Sequence, residues 1–190
     1  MDQQITINLE ENNSLMVRLQ IAVLVIIIPA AYLFYLPEQS RFSSPLQMLT
    51  TPIGLSPRVL DWIILVGIFF ATLLLHEAIH AVMFKILGPR RTAITFGFSI
   101  GFAYAGAPNV VFSRIRYIAV GLAPAVLITL LLMPLIHCAP KNLIPLLFVT
   151  GVINLSGSVG DAYISYRVLS TPKGTLIRDK GIEFTLYPPM

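Results

Sequence analysis

The chain has 190 residues, 56% of them hydrophobic and only 12% charged, with a mean hydropathy of +0.79. A water-soluble domain carries about 25% charged residues, so this balance excludes an ordinary aqueous globule and points to a bilayer. The single cysteine, Cys138, excludes an internal disulfide and a cysteine-based zinc cluster, and the net charge of +4 comes without the basic run and interleaved aromatics of a nucleic-acid-binding surface.

Residues 1–14 are polar and predicted to be interfacial. Asp2, Glu10 and Glu11 make them acidic where a signal peptide is positive, so the apolar run that follows is expected to stay as an anchor. The first span is predicted over residues 16–36, with Pro29 tolerated inside a packed bundle. Residues 37–58 hold Pro37, Pro45, Pro52 and Pro57 and predict an extended loop. The second span covers 59–87 and is stopped by Gly88-Pro89.

The pattern changes over 92–112. Phe96, Phe98, Ile100, Phe102 and Tyr104 alternate with Gly97, Ser99, Gly101, Ala103 and Ala105, a period of two that predicts a strand with one bulky and one small face. Gly106-Ala107-Pro108-Asn109 predicts a turn, with Val110–Phe112 returning as a second strand. The third span is predicted over 117–136. The fourth, over 143–169, is unusually polar, with Asn154, Ser156, Ser158, Asp161 and Ser165. The tail, 170–190, is turn-rich with a strand at 182–187. The expected fold is an all-α membrane bundle, one membrane-embedded domain over 1–190, of four transmembrane helices with a small β-hairpin between helices 2 and 3.

With four spans, both termini and the 88–116 segment share one side. That side carries ten lysines and arginines: Arg18, Lys85, Arg90, Arg91, Arg114, Arg116, Arg167, Lys173, Arg178 and Lys180. The other carries three, Arg41, Arg58 and Lys141. The imbalance predicts cytoplasmic termini, with Arg114 and Arg116 anchoring that interface.

The second span contains His76-Glu77-Ala78-Ile79-His80. Helix positions i and i+4 share a face, so two imidazoles can address one metal while Glu77 stands beside the first as a general base. Such a base takes a proton from the attacking water and passes it to the leaving amine. With three His and five Glu in the chain, this spacing arises by chance about 0.001 times per shuffled sequence. The competing reading is of neutral, hydrogen-bonded core histidines with Glu77 protonated or paired.

A catalytic zinc site needs a third protein ligand and an open position. His137 lies at the far end of the third span, between Pro134 and Pro140, and fits an interfacial histidine better. Asp161 lies about as far from the end of its span as His76 and His80 do from theirs, which places the three at one level. Asn154, Ser158, Asp161 and Ser165 also share a helix face. The alternative for Asp161 is a structural carboxylate bonded to serines or to Arg167. Asn154 suits a substrate or oxyanion contact, or a bridge between helices. Gly157-x-x-Gly160 suits close packing near the site. Gly97-x-x-x-Gly101 falls in the β-like stretch and is not a helix-dimerisation motif.

The run Leu74-Leu75-His76-Glu77-Ala78-Ile79-His80, together with Tyr104-x-x-x-Pro108, Gly121-Leu122-Ala123-Pro124 and Gly157-Ser158-Val159-Gly160-Asp161, resembles the zincin peptidases of bacterial membranes over roughly residues 65–187. That group is in turn similar to the site-2 intramembrane metalloproteases. The resemblance implies Zn2+ as cofactor, Asp161 as third metal ligand and a bacterial plasma-membrane location. It also implies membrane lipids and a membrane-associated protein as partners, and a β-element near the site that can present substrate, a role open to residues 96–112. A hairpin that only plugs the bundle is the alternative. Asp161 stands between Gly160 and Ala162, without the proline of the site-2 pattern. The expected activity is zinc-dependent hydrolysis of peptide bonds in membrane-associated substrates. The alternatives are a zincin-like binding or regulatory protein without proteolytic activity, and a metal-free structural anchor.

Overall fold

The computed structural model describes residues 4–9, 11–53, 59–99 and 102–189; Asp2, Glu10, Pro57, Arg58, Ile100 and Gly101 lie outside them. Among the described residues, four helical stretches are long and apolar enough to cross a membrane: Asn13–Glu38, Val59–Leu87, Arg114–Cys138 and Lys141–Leu169. The first consists of α1 (Asn13–Tyr35) and a 3-10 turn. It begins three residues earlier than expected because the Asn12 side chain accepts the Leu15 N–H at 3.0 Å, a capping bond that satisfies one of the free donors of the first turn. The loop that follows is not wholly extended. Pro45 occupies the first turn of a short helix, α2 (Pro45–Thr50), and Ser44 caps it; proline starts a helix as readily as it ends one. Next comes α3 (Val59–Leu87), as predicted.

After α3 come β2 (Thr95–Ser99) and β3 (Phe102–Ser113), then α4 (Arg114–Cys138). The fourth stretch is not one helix. It breaks at Ser158 into α5 (Ile144–Gly157) and α6 (Val159–Leu169). Ser158 has a non-helical ψ of 3°, and its hydroxyl bonds back to the Asn154 carbonyl at 2.7 Å, the side-chain competition with backbone that bends helices.

The hairpin lies between α3 and α4 as expected, but it belongs to a larger sheet. β1 (Ile5–Asn8) comes from the segment taken as merely interfacial, and β4 (Leu176–Asp179) and β5 (Glu183–Tyr187) come from the tail. The order is β1-β5-β4-β3-β2, antiparallel throughout. Residues 106–109 are not a turn. β3 runs through them, pairing Thr95 with Gly106 on one side and Ala107 with Asp179 on the other. The turn-forming residues act differently in place. Pro108 has no N–H for the ladder, and the β3–β4 register shifts between Ala107 and Phe112. Asn109 accepts the Ala93 N–H at 2.9 Å and donates to the Arg91 carbonyl at 3.0 Å, pinning the loop that leaves α3.

Apolar packing forms two centres. One joins the sheet to the nearby helix ends through Ile7, Phe84, Phe112, Val168, Ile177 and Leu186. The other fills the opposite end of the bundle with Phe34, Met48, Ile128, Ile136, Ile144 and Phe148. There α1 seats on α5: a Cβ at Gly151 would stand 2.4 Å from the Phe34 ring, so only glycine admits it.

That far end is closed by a polar clip. Glu38 is buried and receives Arg41 Nη1 at 2.9 Å, with His137 Nδ1 also 2.9 Å away. Arg41 further donates to the carbonyls of Ile136, His137 and Ala139 at the C-terminal end of α4, where a helix has run out of its own donors. Arg41→Ala strips all these bonds and leaves Glu38 buried. Thermal unfolding in detergent should show a loss of about 2–3 kcal/mol, against less than about 1 kcal/mol for His137→Ala, whose ring is largely exposed.

At the sheet end, the Asp179 carboxylate accepts the Tyr117 hydroxyl at 2.9 Å and the Gly181 N–H at 2.6 Å. Gly181 turns the chain at φ +95°, where its missing side chain also makes room for the Tyr104 ring. Burial pushes Asp179 up to about 7, against the lowering effect of those two donors. The unfolded chain ionises this group near pH 4, at about 3.9. Between the two values the unfolded state binds fewer protons, so stability falls as pH rises and levels off above the folded pKa. The melting temperature of the wild type should therefore drop more between about pH 4 and 7 than that of Asp179→Asn, which lacks the titration.

Candidate metal centre

α3 carries His76 and His80 one turn apart on its buried face. Asp161, in the first turn of α6, meets them from across the bundle. His76 Nε2 lies 3.0 Å from Asp161 Oδ2, His80 Nε2 lies 3.4 Å from Asp161 Oδ1, and the two Nε2 atoms are 3.2 Å apart. The three residues form a cluster able to hold a metal ion.

Proton placement in this cluster follows from its neighbours. Asn154 Nδ2 donates to the Pro124 carbonyl at 3.1 Å, which turns Asn154 Oδ1 toward His76 Nδ1 at 3.0 Å. His76 therefore donates from Nδ1. His80 Nδ1 faces the Val120 carbonyl at 3.1 Å and must likewise donate. A neutral imidazole has one N–H, so with both rings neutral the two Nε2 atoms present lone pairs, to each other and to a carboxylate. Acceptors facing acceptors in a buried site need positive charge between them, which a proton or a metal ion supplies. Tetrahedral zinc with Zn–N bonds of about 2.0–2.1 Å sets its ligand atoms about 3.3–3.4 Å apart, close to the separations found. The donor set therefore fits zinc, with both imidazoles locked by outer hydrogen bonds as metal-binding histidines are.

The bond to Val120 has a cause in the sequence. Pro124 lacks the N–H that would occupy the Val120 carbonyl four residues earlier in α4. The freed acceptor points at His80. Neither residue was singled out from the sequence as supporting a ligand; a proline inside an apolar span, freeing a carbonyl, is the signal that could have found it.

The alternative partners for Asp161 do not bond it: Arg167 bonds Tyr163, the Ser158 hydroxyl bonds the Asn154 carbonyl, and the Ser165 hydroxyl is buried with no partner among the described residues. Asn154 bridges α5 to α3 and α4 with both polar atoms used. His137 lies at the far end of the bundle with Glu38. The close-packing role expected of Gly157 and Gly160 is not found: a Cβ at either would meet nothing within 4 Å, and both line a cavity instead.

That cavity, about 560 Å³, opens over the cluster. Glu77 lies on its wall, partly exposed, with the backbone N–H of Ala105 on β3 facing its carboxylate. Asp179 and Tyr117 reach it from the sheet end.

A bundle of membrane-length helices holding two histidines one turn apart, a neighbouring glutamate and a distant aspartate around one point defines a metallopeptidase-like membrane protein. A family model described as "Putative zincin peptidase" matches residues 69–176, and the chain belongs to that family. The matched stretch contains HEAIH, the hairpin, α4, α5 and α6, while α1 and most of the β4–β5 tail lie outside it. No curated protein and no solved structure matches the chain.

Asn154→Leu removes the acceptor that holds His76 Nδ1. Competition with a calibrated chelator should show zinc affinity falling about 10–100-fold. Affinity within twofold of wild type would mean that the bond does not orient the ligand.

Proposed function

We propose that the protein is a zinc-dependent metallopeptidase of the membrane, acting on peptide bonds of membrane-associated protein substrates. His76, His80 and Asp161 hold the metal and Glu77 is the general base. The observation that carries this reading is the meeting of three potential metal-ligand atoms beside a glutamate on a cavity wall.

Bound zinc supplies Lewis acidity that makes hydrolysis feasible near neutral pH. Glu77 takes a proton from the attacking water at its carboxylate and delivers it to the departing nitrogen as the C–N bond breaks. The Ala105 N–H faces that carboxylate and favours its charged form. Asn154 and the Val120 carbonyl keep both imidazoles in the tautomer with a free Nε2. The lysine and arginine imbalance supports a site opening toward the cytoplasm, the side of the sheet and both termini.

The sheet supplies a means of holding a peptide. β2 is its last strand, so one side of β2 has no strand partner among the described residues. A substrate added there would be held extended, the form in which a peptide bond is open to attack.

Glu77→Gln in purified protein should retain one zinc per chain and lose hydrolysis by at least about 100-fold, at the low end of the general-base contribution. Unchanged turnover would sink the mechanism. Bound zinc with no turnover by the wild type on any trapped substrate would favour a zincin-like binding protein.

A further inference from the structure

The cavity has a wall that the family match does not reach. α1 lines it with Met16, Leu19, Gln20, Val23 and Ile27. These recur at the helical period and form one stripe down a single face. α1 packs on α5 and α6, while the helices packed on α3 are α4 and α5. Between α1 and α3 the cavity is walled instead by Val23 and Ile27 on one side and Phe69, Phe70 and Leu73 on the other.

Gln20 is the one polar member of the stripe. It makes no hydrogen bond to any described residue, and its side chain is exposed toward the cavity. Its depth matches the cluster. Gln20 lies seven residues into α1 from Asn13, and His80 lies seven residues from the end of α3 at Leu87, about 10 Å along each helix from the sheet end of the bundle. A polar side chain at that depth in an apolar span is costly without a partner. An amide offers one acceptor and two donors with no charge, which complements the C=O and N–H of a peptide group and discriminates against charged groups in an apolar cleft.

We propose that Gln20 binds the substrate backbone. The substrate it selects is an extended peptide segment with apolar side chains, lying along the cleft between α1 and α3. The proposal rests on the peptidase reading and adds to it a contact residue and a substrate class. Val23, Ile27, Phe69 and Phe70 take the side chains, Gln20 takes a peptide group, and the bond to be cut lies over the metal cluster.

The test separates binding from turnover. The probe is a fluorescein-labelled leucine–alanine decapeptide with both ends blocked. It is titrated by anisotropy into full-length, zinc-loaded protein in detergent, on the Glu77→Gln background, with unlabelled peptide as competitor. Gln20→Leu should weaken competable binding about five- to tenfold, the worth of one hydrogen bond, with zinc content and melting temperature unchanged. Equal affinity with and without Gln20, or no competable binding when Gln20 is present, overturns the proposal. A Gln20 difference that persists while the wild type turns over neither this peptide nor any trapped substrate defeats the peptidase reading and leaves the Gln20 assignment standing.

Discussion

Two imidazole nitrogens and a carboxylate are held within 3.0–3.4 Å of one another inside an apolar bundle. Without a proton or a metal ion between them, such an arrangement repels itself in a medium that screens poorly. It persists because the outer nitrogens are committed elsewhere: His76 Nδ1 to Asn154, His80 Nδ1 to Val120. Those two bonds tie α3 to α5 and to α4, so the same contacts that hold the bundle together also fix which ring nitrogens face its centre.

Departures from regular helix fall where this centre needs them. Pro124 removes an N–H and so releases a carbonyl for His80. Asn154, on the next helix, bonds the carbonyl of Pro124 itself. The break at Ser158 lies between Asn154 and Asp161, so one chain segment presents an amide to one side of His76 and a carboxylate to the other. Gly157 and Gly160 on either side of the break leave room for a cavity rather than for a neighbouring helix.

The HEAIH cluster was legible in the sequence because the helical period is local: four residues decide which side chains share a face. Asp161 was legible through depth, since span ends marked by Gly88-Pro89 and by the polar tail give a common level from which to count. The sheet was not, apart from its hairpin and the strand near 182–187. Ile5–Asn8 and Glu183–Tyr187 are each too short to declare a partner, and pairing across nearly the whole chain leaves no periodic trace. Residues 106–109 misled because glycine, proline and asparagine mark any irregular backbone. Here they serve a strand with a register shift and a side-chain clamp on the preceding loop. The Val120 carbonyl was invisible because the group that acts is backbone, and only a proline four positions away betrays it.

The sheet joins the first strand to the last. β1 precedes every span and β5 follows all four, yet they are hydrogen-bonded neighbours, Ile5 opposite Leu186. During synthesis β1 has no partner until the whole bundle has been threaded and the tail has emerged on the same side. Closure of such a distant contact comes late and slowly. Phe184 of β5, Asp179 of β4 and Leu9 just after β1 all line the cavity above the metal cluster. That wall of the cavity is therefore laid only once the final span is in place, and a chain with a misplaced or missing span never completes it.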